Sequence, residues 1–130
     1  MYEVLGWINV FLLVFNVMLF FVRRFYKYTK NEKIKSDKNI MKIMKFMAKV
    51  HKYSGILLLI LAPVHGYSAL GYKIKWHTGF LLWLSIIFTF LLYALKKVLK
   101  SSWIKLHRIT AIMIFVFLFI HLINPWLFGF

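Results

Sequence analysis

Two stretches of this chain begin and end on histidine and are apolar almost throughout between: HKYSGILLLILAPVH, from His51 to His65, and HRITAIMIFVFLFIH, from His107 to His121. In each the two histidines are fourteen residues apart. On an α-helix that is almost four turns, so the two imidazoles of one stretch point roughly the same way, about 21 Å apart along the axis. Segments this long and this apolar belong in a bilayer, whose hydrocarbon core is about 30 Å thick. Each helix then carries one histidine near either membrane surface. Two such helices side by side make two stacked pairs of imidazoles.

The rest of the chain agrees with a membrane setting. Of its 130 residues 62% are apolar and 20% aromatic, too many for a soluble domain of this size, and the length allows one bundle. A formal charge of +15 would suggest nucleic acid if it were spread over a surface. The charges are instead excluded from the apolar runs and gathered in two connecting loops, the pattern that sets membrane topology, and no nucleic-acid partner is expected. The acidic residues are Glu3, Glu32 and Asp37, which leaves no carboxylate pair for acid–base hydrolysis.

Taken in order, residues 4–22 form a first apolar run closed by Arg23 and Arg24. A secretory signal carries its positive charge ahead of the apolar stretch, so this run is expected to be a retained helix with its N-terminus outside. Asn9 and Asn16, seven apart on one face, are expected to hydrogen-bond other helices. Residues 38–49 set Ile40, Ile43, Met44 and Met47 opposite Lys38, Lys42, Lys45 and Lys49. Such a basic amphipathic segment either lies among lipid headgroups or extends the next helix into the cytosol, with Asp37 as N-cap. The second membrane helix covers about 50–70 and is bent by Pro63. Gly55 and Gly66, near His51 and beside His65, leave room for a flat macrocycle or for close helix packing. His77 opens a third helix, about 77–95, and the fourth spans about 104–123, ended by Asn124-Pro125. The aromatic tail WLFGF suits the membrane interface.

The expected fold is therefore an all-α membrane protein, a four-transmembrane-helix bundle with both termini outside. The basic first and third loops face the cytoplasm, and the second and fourth helices run in the same direction. His51 and His107 fall at the cytoplasmic level, His65 and His121 at the outer level. Two imidazoles per level suit two haem b groups, because haem iron takes its fifth and sixth ligands along one axis. With no cysteine in the chain, thiolate-bound haem, iron–sulfur clusters and covalent haem attachment are excluded. Zinc usually wants three or four ligands at one point and is the weaker rival, with His77 as a third ligand outside. His77 either bonds a haem propionate, lines an outer substrate or quinone site, or simply starts a helix at the interface. Lys52 and Arg108, each following a cytoplasmic-level histidine, either neutralise propionates or are ordinary snorkelling cations.

The segments HKYSG…H, HTGFLLWL and W-I-K-L-H-R…H-L-I, from about His51 to Ile123, resemble the ferric reductase-like transmembrane family. The W-x-x-L-H-R opening of the fourth helix, Trp103 to Arg108, is the most characteristic piece. The resemblance implies that His51 and His107 ligate an inner haem and His65 and His121 an outer one, passing electrons across the membrane. Members of that family commonly have six membrane helices where four are expected here, and no glycine-rich dinucleotide fingerprint follows a strand in this chain. The donor is then a separate flavoprotein or ferredoxin-like protein, or a membrane quinol. The expectation is an electron-transfer subunit of a hetero-oligomeric oxidoreductase in the cytoplasmic membrane of a bacterium. A self-contained ferric or quinone reductase at the outer face and a haem-free membrane scaffold are the alternatives.

Overall fold

A computed structural model describes residues 1–127, and within them every regular element is helical. Four long helices, α1 (Tyr2–Tyr28), α3 (Lys38–Ala69), α4 (Thr78–Ala94) and α6 (Ser102–Ile123), are joined by two short ones, α2 (Glu32–Ser36) and α5 (Lys96–Leu99). Residues 128–130, the last three of the aromatic tail, lie outside the described residues.

Cross-helix contacts fix the directions. Asn9 donates to the Leu61 carbonyl and Ser54 donates to Asn16, so α1 and α3 are antiparallel. His77 meets His121 at one end of α4 and α6, and Tyr93 meets Trp103 at the other, so these two are antiparallel as well. α3 also packs on α4, and α1 touches α6. The four close a ring in which α3 and α6 stand diagonally, running in the same direction. Of the 18 Lys and Arg, all but Lys73 and Lys75 lie at the end of the ring that holds His51 and His107.

Helix ends run past the limits expected from hydropathy. α1 continues through Arg23, Arg24 and Lys27, and α3 begins at Lys38, where Asp37 accepts a hydrogen bond from the Asn39 N–H at 2.7 Å. Loss of apolar character ends a membrane segment but not a helix, since Lys and Arg are good helix formers. The basic segment 38–49 is thus one continuous rod with the apolar part of α3. Ile40, Met44 and Met47 are half-buried, Met44 in a groove shared with Arg23 and Tyr26 of α1, while Ile43 is exposed.

α1, α3 and α6 are long and apolar enough to cross a membrane; α4, with 17 residues, is shorter. The outward faces carry Trp7, Phe11, Phe21, Ile60, Ile112, Val116 and Phe119, all more than half exposed except Val116 at 50%. An apolar surface of that extent is a lipid-facing one, and the chain has the character of a membrane protein. Inside, Leu13, Leu58, Leu82, Ile86, Ile114 and Leu118 form a core to which all four long helices contribute.

Pro63 lies inside α3 and has no N–H to give the carbonyl four residues back, that of Leu59. The indole N–H of Trp83, on α4, donates to that carbonyl at 3.3 Å. Asn9 meets the same part of α3 from α1, at 3.4 Å from the Leu61 carbonyl. In a lipid-facing bundle a backbone group freed by proline must be satisfied by a neighbouring helix. After Ala69 the chain stops in a tight reversal: Tyr72 N–H donates to the Tyr67 carbonyl, and Gly71 takes φ 62, the left-handed conformation glycine adopts most easily.

Candidate functional site

The five histidines gather at the two ends of the ring. At the basic end His51 of α3 meets His107 of α6 across the diagonal, with ring centroids 6.1 Å apart and planes at 77°. Trp103, one turn before His107, packs on that imidazole at 5.8 Å. Both Nδ1 atoms are buried without a hydrogen-bond partner. Leaving such a buried polar atom unpaired costs about 1–3 kcal/mol. The Thr89 carbonyl is a neighbour of the His107 ring.

The opposite end brings together three histidines. His121 and His77 have ring centroids 6.1 Å apart at 75°. Thr78, at 0% exposure, stands beside them: its hydroxyl donates to the Pro125 carbonyl at 2.8 Å, so it must accept from His121 Nδ1, also at 2.8 Å. The N–H of Thr78 donates to the same Pro125 carbonyl at 3.0 Å. His77 Nδ1 donates to the Lys75 carbonyl at 3.1 Å, and His65 Nδ1 donates to the Tyr2 carbonyl at 2.8 Å. In all three rings the proton sits on Nδ1 and Nε2 is left with a bare lone pair, the arrangement that orients a histidine for a metal. Trp126 lies against His77 at 5.9 Å and 38°. Burial pushes the His77 imidazole below the usual histidine range; the Lys75 carbonyl pulls it back up, and the nearby His65 adds a further downward push.

Two glycines keep space for these rings. A Cβ on Gly79 would stand 2.9 Å from His121 Cε1 and 3.0 Å from His77 Nε2. A Cβ on Gly6 would stand 2.8 Å from His65 Cε1. Gly55 and Gly66, the glycines singled out by adjacency in sequence, border open space, and a methyl on either would meet nothing within 4 Å. Gly6 and Gly79 carry no sequence signal beyond their residue type, because the rings they meet belong to other parts of the chain.

The remaining buried polar side chains serve the same framework. Ser54 donates to Asn16 at 2.7 Å one turn from His51, and Thr110 donates to the His107 carbonyl at 3.0 Å. The interhelical role expected of Asn9 and Asn16 is therefore seen for both. Lys52 and Arg108 are exposed beside His51 and His107. Phe88 and Phe117 line a groove of about 260 Å³ between α4 and α6, whereas Phe115 packs on Phe119.

Could these histidines hold a metal? Among the described residues no group of three or more His, Asp or Glu is placed to bind one ion. Two imidazoles sharing one iron from opposite sides are a different case. With metal–imidazole bonds of about 2 Å, their ring centres stand about 6 Å apart. The separation at both ends is 6.1 Å. The spacing at both ends, and the bare Nε2 atoms of His77 and His121 at the outer one, fit pairs of imidazoles that would share an iron. Comparison with known protein families, with characterised proteins and with solved structures found no match for this chain.

Proposed function

We propose that the chain is a four-span, di-haem cytochrome b of the cell membrane that carries electrons from one face to the other as a subunit of a larger oxidoreductase. The observation that carries this reading is the recurrence of a 6.1 Å imidazole pair at both ends of one apolar bundle. α4 joins α1, α3 and α6 as a span, since it accompanies α6 from the His77–His121 contact to the Tyr93–Trp103 contact. The basic end faces the cytoplasm and both termini face outward. The resemblance of the segments from about His51 to Ile123 to the ferric reductase-like family supports this reading.

Haem b bound at each level supplies a one-electron iron couple. His51 and His107 hold the inner group. His121 supplies one ligand to the outer group, and His65 and His77 are the two histidines able to supply the other. Thr78 fixes the His121 ring through its hydroxyl, and Trp103 and Trp126 brace His107 and His77. Between the levels, Leu58, Leu82, Ile86, Ile114 and Leu118 exclude water and keep the dielectric low. Lys52 and Arg108 are placed to neutralise propionates at the inner level. The basic ends of α1, α3 and α5 attract an acidic flavoprotein or ferredoxin-like donor, with a membrane quinol as the other class of donor.

The test is an absorption spectrum of the chain purified in detergent. Dithionite should produce a sharp b-type α-band with two haems per chain, and a colourless, folded protein would refute the proposal. Added ferric chelate or quinone should be reduced only when the partner subunit is present; turnover by the isolated chain would make it a reductase in its own right.

A further inference from the structure

Fourteen residues at 100° each leave His65 about 40° out of line with His51 even on a straight helix, and Pro63 lies in α3 just before it. The consequence is visible in its neighbours. His51 faces the diagonal helix α6, but His65 faces α1, where its ring rests over Gly6 and donates to the Tyr2 carbonyl at 2.8 Å. The imidazole that meets His121 is that of His77, and it does so with the same centroid distance as the inner pair and a nearly equal interplanar angle, 75° against 77°. Both rings converge on the bare Cα of Gly79, with the His77 Nε2 edge and the His121 Cε1 edge about equally close to where a methyl would sit. Each ring is also locked from behind, His77 by the Lys75 carbonyl and Trp126, His121 by Thr78.

Resting on the di-haem reading, we infer that the outer iron is ligated by His77 and His121, and that His65 stands outside the ligand pair as a positioning residue between α3 and the start of α1. The two haems then share only α6 as a common source of ligands. The inner one bridges α6 to α3, and the outer one bridges α6 to the start of α4. The equal spacing of His51 to His65 is in this view not the ruler for the outer site; the spacing of His107 to His121 is.

The experiment compares the unaltered chain with His65→Ala, His77→Ala and His121→Ala, each purified in the same detergent. Haem per chain is read by the pyridine haemochromogen method and the low-spin ferric signals by electron paramagnetic resonance. The inner haem on His51 and His107 reports in every variant that the bundle has folded. The expected result is two haems and two low-spin signals for the unaltered chain and for His65→Ala, and one of each for His77→Ala and His121→Ala. Imidazole added to His77→Gly should restore the second low-spin signal. Loss of a haem from His65→Ala, or retention of both by His77→Ala, overturns the ligand assignment while leaving the di-haem reading in place. Absence of haem from the unaltered chain overturns both.

Discussion

Thr78 shows how one side chain can decide what a histidine is able to do. Its hydroxyl has a single proton, and that proton is committed to the Pro125 carbonyl. His121 must therefore donate from Nδ1, which leaves Nε2 free as a lone-pair ligand. A Thr78→Val substitution keeps the volume but removes both hydrogen bonds. It should lower stability by about 1–3 kcal/mol, the cost of stranding buried polar partners, read as a fall in melting temperature in detergent. On the proposed di-haem reading it should also shift the midpoint potential of the outer haem while the inner one stays put. An unchanged potential at both would mean that Thr78 does not orient a ligand. The residue could not have been chosen from sequence, where a threonine after a histidine at the start of an apolar run has no special mark. The five histidines, by contrast, were all legible, because ionisable side chains in or beside such segments are costly to place and stand out.

At the scale of the helix, the informative element is α3. Its proline was readable from sequence, but the partner that answers the carbonyl it leaves free was not. Trp83 lies 20 residues beyond Pro63, and only the packing of α4 on α3 brings its indole to the Leu59 carbonyl. The pairing makes a double-mutant prediction. Trp83→Phe alone should destabilise the bundle by about 1 kcal/mol, in the range measured for hydrogen bonds between membrane helices. In a Pro63→Ala background, where the backbone N–H at position 63 is restored, the same change should cost much less. Equal costs in the two backgrounds, measured by denaturant or thermal unfolding, would show that the indole does not answer the proline. The proline lies two residues before His65, whose ring meets Tyr2 and Gly6 of α1.

For the molecule as a whole, direction in the membrane follows from charge. Lys33 and Lys100 belong to the basic end, and Ile74, 84% exposed, belongs to the turn at the other. The chain has no native cysteine, so single Lys33→Cys, Lys100→Cys and Ile74→Cys variants can be labelled without background. In intact spheroplasts a membrane-impermeant thiol reagent should modify only the cysteine at 74, and those at 33 and 100 should react only after the membrane is opened. Labelling of all three from outside, or of 33 and 100 alone, would reverse the topology or remove it.

Composition and period determined what kind of object this is. The apolar runs, the two basic stretches between them and the histidine spacing follow from hydration and from 3.6 residues per turn, which act locally and can be read along the chain. Asp37 as a cap and the shared face of Asn9 and Asn16 belong to the same class. What only the tertiary structure decided is which rings meet. A periodicity places side chains around their own helix axis, but it carries no information on how neighbouring helices are rotated or where a loop returns. His77 reaches His121, and His65 reaches Tyr2 and Gly6, because of those relative placements. Partnership between side chains on different helices is a property of packing, and packing is set by every contact in the ring at once.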